Sequence, residues 1–300
     1  MDKPALRPLI VRCQARSGST FLMRCLSALD GIAIARHPPC EVRYAQYMSA
    51  AFGVLTAAAD HEDSSRPNFF HRDKGEGWIG KNPFNRRLSK GYHKSFGDKY
   101  IADFQQFFDE KVQDFYQIVA RKNKVVAEYF CEKALYINQH DAHQDPDVIF
   151  NLYPRGVRSI YLVRDPRDIF CSNRAFFHTG PGPAEQQLRN ALDRLAQHTD
   201  AMAESYKKSR KESKCIVRYE NLMREPEEAL AEVVDFLDID AQPDNLEFAL
   251  EFAQKAWSRR HKTSSSSSAS IGRWKTELPE RTQVHATRCF SKYRKVFGYT

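Results

Sequence analysis

Two short stretches of this chain combine glycine, hydroxyls and guanidinium groups in patterns that hold anions. In the first, Leu9–Ala15 runs into Arg16-Ser17-Gly18-Ser19-Thr20, and an apolar-periodic segment opens at Phe21. A strand that turns directly into a helix offers unpaired backbone N–H groups and the positive end of the helix dipole. Ser17, Ser19 and Thr20 add hydroxyl donors, and Arg16 adds full positive charge. Gly18 lets the backbone approach a ligand closely. In the second stretch, the apolar run Ile160–Val163 ends on Arg164, and Ser172 follows eight residues later. An arginine at the carboxyl edge of a parallel sheet, with a hydroxyl one or two helical turns on, makes a second phosphate cradle.

Other residues suit proton transfer and charge compensation around such a cradle. Glu41 follows a short strand-like segment, and a carboxylate in a cation-rich site suits the base that removes a hydroxyl proton. Four residues before Glu41, His37-Pro38-Pro39 reads as a turn. Between Phe252 and Thr276 stand Lys255, Arg259, Arg260, Lys262, Arg273 and Lys275, with no acid among them.

The elements that must position these groups read as α/β. Strands are expected at Leu9–Ala15, Gly31–Ala35, Lys124–Tyr129, Ser159–Val163 and Cys215–Tyr219. Leu22, Cys25, Leu26 and Leu29 share one helical face after the first strand, as do Leu230, Val233, Val234 and Leu237 after the last. Pro226 suits a first helical turn, and Glu227 and Glu228 suit its dipole. This alternation predicts a central parallel sheet flanked by helices in a single domain over 1–300. An irregular insertion is expected at about 56–99, and Thr263–Ser270 reads as a flexible loop.

Composition narrows the class. With 42% apolar and 28% charged residues, the chain is neither disordered nor collagen-like. Lys and Arg exceed Asp and Glu by 46 − 38, a net +8 that favours anionic partners. No apolar run approaches the ~18 residues that span a bilayer, and Leu9–Val11 is too short for a signal-peptide core. The seven cysteines are scattered without a C-x-x-C pair, so reduced thiols in a cytoplasmic protein are expected. No His, Cys and carboxylate cluster shows ligand spacing in sequence, so no metal is expected. The phosphate loop G-x-x-x-x-G-K-[ST] of nucleotide triphosphatases is absent.

Together, the two cradles resemble sulfotransferases that use 3′-phosphoadenosine-5′-phosphosulfate (PAPS). Arg16–Thr20 is similar to that family's 5′-phosphosulfate loop, in the version with Arg in place of Lys, and Arg164…Ser172 to its 3′-phosphate site. Cys40–Tyr44 resembles the acidic segment that supplies the base in the carbohydrate and tyrosyl-protein branches. Glu132–Tyr136 resembles its E-K-x-x-x-Y segment, expected after the third strand, and Arg218–Leu222 its Y-E-[DN]-L segment. The resemblance extends from about Leu9 to Trp274 and implies a P-loop-like three-layer fold.

It also implies roles. Glu41 would deprotonate the acceptor hydroxyl, with His37 the rival base because the small-molecule cytosolic branch uses histidine, and Lys133 and Arg16 would offset charge on the leaving phosphate. Arg16, Ser17, Gly18, Ser19, Thr20 and Phe21 would line the 5′ side of the nucleotide, with PAP as product. Arg164, Ser172 and Arg273 would hold the 3′-phosphate, and Tyr219 would stand at the adenine. Ser258 is a further candidate beside the transferring group. The acceptor would be a hydroxyl of a carbohydrate, glycolipid or other polar compound, with no nucleic-acid partner, and its contacts are expected in 56–99 and Phe176–Gly182. Two other readings stand beside this one. A nucleotide-dependent phosphoryl transferase lacks its GK[ST] lysine and an evident Mg²⁺ carboxylate. A basic nucleic-acid-binding module would explain +8 but lacks a binding motif.

Overall fold

A computed structural model describes residues 4–56, 93–136, 146–177, 185–240, 243–255 and 268–300. It comprises two compact units. The first contains Met1–Val42, Tyr116–Pro146 and Gly156–Thr300, and holds the sheet. Strands β1 (Arg7–Cys13), β2 (Gly31–Ala33), β3 (Ala127–Leu135), β4 (Arg158–Val163) and β5 (Lys214–Arg218) pair in the order β2-β3-β1-β4-β5. Every pairing is parallel. The carboxyl ends of all five strands therefore share one edge, where loops gather.

Near-continuous apolar strands form because helices cover both sides of the sheet. Leu9, Val11 and Cys13 of β1, with Ile160, Leu162 and Val217, belong to a cluster shared with α1 (Ser19–Ala28), α8 (Pro226–Leu237) and α9 (Pro243–Lys255). The alternate residues Tyr161 and Val163 pack instead with α6 (Glu185–Lys208) and α12 (Ser291–Phe297). The result is three layers, as expected. Pro226 opens α8, and Glu227 and Glu228 lie in its first turn. Around these stand α5 (Pro166–Phe177), α7 (Tyr219–Arg224), α10 (Trp274–Glu277) and α11 (Glu280–Cys289).

One polar residue breaks the apolar pattern of the buried part of β1. Arg12 is fully buried, donating through Nε to Ser159 Oγ (3.1 Å) and through Nη1 to Tyr136 Oη (3.1 Å) and the Pro146 carbonyl (3.2 Å).

The third strand departs from expectation. It continues beyond Tyr129 to Leu135, so Glu132 and Lys133 lie inside it rather than after it. Charged residues ordinarily signal a strand's end, but here each has a partner. Buried Glu132 accepts a 2.5 Å hydrogen bond from Tyr116 Oη, and buried Lys133 pairs with Glu41.

The second unit, Arg43–Phe115 and Asp147–Arg155, contains α2 (Tyr44–Thr56), α4 (Ile149–Leu152) and the start of α3 (His93–Asn123). Tyr44 stacks on Phe115 with ring centres 4.4 Å apart, and Tyr153 Oη donates to Asp109 Oδ1 at 2.6 Å. Residues 93–99, read as irregular from sequence, open α3. The rest of that insertion, 57–92, lies outside the described residues.

Candidate active site

The turn after β1 is held by its own side chains. Ser17 donates through Oγ (2.7 Å) and N (3.3 Å) to the Gln14 carbonyl, and Phe21 N donates to the Gly18 carbonyl (3.0 Å) to start α1. The Ser17 hydroxyl proton, expected to face an anion, closes the turn instead. No side chain caps α1, and the first N–H groups of a helix have no intrahelical partner. Gly18 has φ +87°, and a Cβ there would stand 2.5 Å from Tyr219 Cδ2. The glycine is required both by its left-handed backbone and by the ring pressed against it.

Arg164 joins three segments at this edge. It leaves β4 buried, donating through Nη1 to the Arg16 carbonyl and through Nη2 to the Ser270 carbonyl, each at 2.7 Å. Its guanidinium lies 4.2 Å from the centre of the Tyr219 ring. Tyr219 Oη in turn bonds Ser270 Oγ at 2.8 Å. Both terminal nitrogens thus meet carbonyls, which leave the positive charge in place. Arg164 Nε is buried and has no hydrogen-bond partner.

Arg16 adds a second cation to that field. Its Nε lies 3.4 Å from buried Ser172 Oγ, and its guanidinium sits 4.2 Å over the Phe176 ring. Burial lowers its pKa from the ordinary arginine value, and the nearby charge of Arg164 lowers it further. Arg273 contributes to the same positive field, while its guanidinium is gripped by Glu277 at 2.6 and 3.1 Å.

Asp168 organises the approach to Arg273. Its two carboxylate oxygens accept from Gly272 N (2.7 Å) and Trp274 N (3.1 Å). Burial nevertheless pushes its pKa up to about 6, outweighing those two hydrogen bonds.

A second group lies at the end of β3. Lys133 Nζ is 2.8 Å from Glu41 Oε1 and 3.5 Å from the Pro39 carbonyl. Its neighbour across the sheet is Val11, two residues before the end of β1. The lysine side chain is 1% exposed and the glutamate 41%, so one partner is sheltered and the other open to solvent. His37 is also exposed, and its carbonyl accepts from Cys40 N at 2.6 Å.

The structure thus brings Arg16, Gly18, Arg164, Ser172 and Tyr219 together in one contact network and pairs Glu41 with Lys133 separately. Ser19 is buried and Thr20 half-buried in the first turn of α1. Phe21 belongs to the apolar cluster beneath that turn rather than to a ligand-facing surface. Sequence reasoning missed Ser270 and Asp168. Both act through partners about fifty to a hundred residues distant, for which a sequence carries no local signal. Ser258, Arg259, Arg260, Lys262 and most of the serine run lie outside the described residues, as does 178–184. The end of that run is not loose: Ser268–Ser270 form a short 3₁₀ turn, and Ser270 is buried.

A family model described as "Sulfotransferase family" matches residues 8–243, most of the chain. The chain belongs to the sulfotransferase family. Among solved structures, the sulfotransferase domain of the Synechococcus PCC 7002 olefin synthase aligns with 100% of this chain and 98% of its own. The identity is 16% and the TM-score 0.53. The sulfotransferase domain from the curacin biosynthetic pathway aligns with 99% of each chain, again at 16% identity and TM-score 0.53. These likenesses establish a shared sulfotransferase fold. No curated protein sequence matches the chain. No helix among the described residues is long and apolar enough to cross a membrane.

Proposed function

We propose that this sulfotransferase-family chain moves the sulfuryl group of PAPS to a hydroxyl of a carbohydrate, glycolipid or similarly polar acceptor, releasing PAP. The observation that carries the reading is the orphaned Arg164 Nε, buried beside Arg16 in a field of excess positive charge. A buried donor without a partner costs ~1–3 kcal/mol, and an anionic ligand removes that cost. Two phosphate-bearing ends of one nucleotide match the two cradles at the ends of β1 and β4.

The bound nucleotide would supply an activated sulfuryl group and a phosphate leaving group. The chain's own residues do the rest. Arg16 and the first turn of α1, from Ser19 and Thr20, hold the 5′ side, with Gly18 keeping the backbone close. Arg164, Ser172 and Arg273 hold the 3′-phosphate, and the Tyr219 ring walls the nucleotide side of the turn. Glu41 accepts the proton of the acceptor hydroxyl, and its partial exposure leaves it reachable by a polar molecule. Lys133 orients Glu41 through the 2.8 Å contact and places a cation at the end of β3. A carboxylate so held gains the geometric precision that general-base catalysis needs.

Calorimetry with PAP, followed by mass-spectrometric detection of sulfated product from PAPS and a panel of sugars, glycolipids and phenols, tests this reading. Saturable PAP binding and a sulfated polar acceptor are expected. Failure to bind PAP, or sulfation confined to phenols, would refute it.

A further inference from the structure

Three side chains with ligand chemistry meet on the surface of the first unit, where the proposed reaction does not reach. Asp193 comes from α6, while His285 and Cys289 come from α11, four residues apart on one helical face. Cys289 Sγ lies 3.3 Å from Asp193 Oδ1 and 3.3 Å from His285 Nε2. The same Nε2 lies 3.4 Å from the same Oδ1. The three atoms form a nearly equilateral triangle.

Hydrogen bonding accounts for it only with a shared proton. One thiol proton and one ring-nitrogen proton cover three edges only if one of them is split between two acceptors, a weaker arrangement. A relay activating a cysteine nucleophile does not account for it. Such a relay places the carboxylate on one ring nitrogen and the sulfur on the other, whereas here both contacts fall on Nε2. One cation above the triangle satisfies all three atoms at once. Zinc bonds of about 2.3 Å to sulfur and about 2.0–2.2 Å to nitrogen and oxygen set tetrahedral edges of about 3.3–3.6 Å between nitrogen and oxygen and about 3.5–3.7 Å to sulfur. The 3.4 Å nitrogen–oxygen edge matches, and the two 3.3 Å sulfur edges need open by only about 0.2–0.4 Å. A thiolate and an imidazole also select against calcium and magnesium, which take oxygen ligands.

We propose that Asp193, His285 and Cys289 bind one zinc-type divalent ion, with water in the fourth position, and so clip α11 to α6. The ion replaces the thiol proton, which leaves to solvent as the metal–sulfur bond forms. Cys289 and Trp274 pack against the same apolar cluster, so the clip braces the helix that follows the turn held by Asp168. The spacing of His285 and Cys289 is visible in sequence, but the third ligand is 92 residues upstream (285 − 193) and on another helix.

The test uses the full chain, stripped with a chelator and titrated with Co²⁺ alone, then with Zn²⁺. One equivalent of cobalt should saturate the protein, giving thiolate-to-cobalt charge-transfer absorption and strong tetrahedral bands that zinc abolishes. Cys289→Ser should remove the charge-transfer band. His285→Gln and Asp193→Asn should each weaken zinc binding by more than ~10-fold, the least loss seen when even a ligand's hydrogen-bonding partner is removed. Circular dichroism checks that each variant is folded, and the wild-type titration depends on none of them. No saturable binding, saturation without the charge-transfer band, or a band that persists in Cys289→Ser would overturn the proposal.

Discussion

Replacing Gly18 with alanine should damage the site through two separable effects. The residue has φ +87°, and holding an L-residue in the left-handed region costs ~1–2 kcal/mol. The new methyl would also stand 2.5 Å from Tyr219 Cδ2 and 2.7 Å from Cε2. The ring must retreat by ~1 Å to restore an ordinary carbon–carbon contact. That retreat strains the 2.8 Å bond from Tyr219 Oη to Ser270 Oγ and the 4.2 Å stacking of Arg164. Those contacts are worth ~0.5–1.5 kcal/mol and ~0.5–2 kcal/mol. The total expected loss is about 2–5 kcal/mol.

A double-mutant cycle divides it. In a Tyr219→Ala background the clash vanishes and only the backbone strain remains, so Gly18→Ala should then cost ~1–2 kcal/mol. Urea denaturation of the four proteins, followed by circular dichroism, gives both values. Equal losses in the two backgrounds would show that the ring does not press on the turn as described, and the argument for glycine would reduce to φ alone.

Arg164→Ala should weaken PAP binding by ~1.5–3 kcal/mol, roughly 10- to 150-fold, as measured by calorimetry; unchanged affinity removes Arg164 from the 3′-phosphate. Glu41→Gln should lower turnover ~10²–10⁴-fold while PAP affinity stays within a few-fold, and full activity there alongside its loss in His37→Ala would make His37 the base. Asp168 predicts a pH signature. Because folding raises its pKa from 3.8 to about 6, the folded state holds the extra proton between those values, and stability from this group is lost as pH rises through about 6. The stability of the wild type relative to Asp168→Asn should therefore fall from pH 4 to 6 in denaturation experiments. A flat difference would mean that the carboxyl is not buried as described.

The sheet was legible because its strands are short apolar runs closed by glycine, proline or charge, and periodicity reads such runs directly. β3 was the exception. Glu132 and Lys133 look like a strand's end because the Tyr116 hydroxyl that bonds the one and the Glu41 carboxylate that pairs the other both lie outside the local window. The same limit governs the site. The meeting of Arg16, Gly18 and Arg164 at one sheet edge is readable from strand–turn–helix context, whereas nothing local shows that the Ser17 hydroxyl donates to the Gln14 carbonyl. Phe21 stood within the motif yet belongs to the core, because α1 turns it towards the sheet.

The buried guanidinium of Arg12 has a consequence for how the sheet assembles. Along β1, Val11 and Cys13 face an oily layer, while Arg12 faces hydroxyls and a carbonyl drawn from three separate segments. Because side chains alternate, pairing β1 one residue out of step would send the guanidinium into hydrocarbon and two apolar side chains into a polar nest. A misaligned sheet would then carry an unsolvated charge, a penalty far larger than any single apolar mismatch. Arg12 thus acts as a key that only one alignment accepts. The glycine-bearing turn begins three residues after Cys13 at Arg16, so this hidden residue proofreads the height at which that turn is presented.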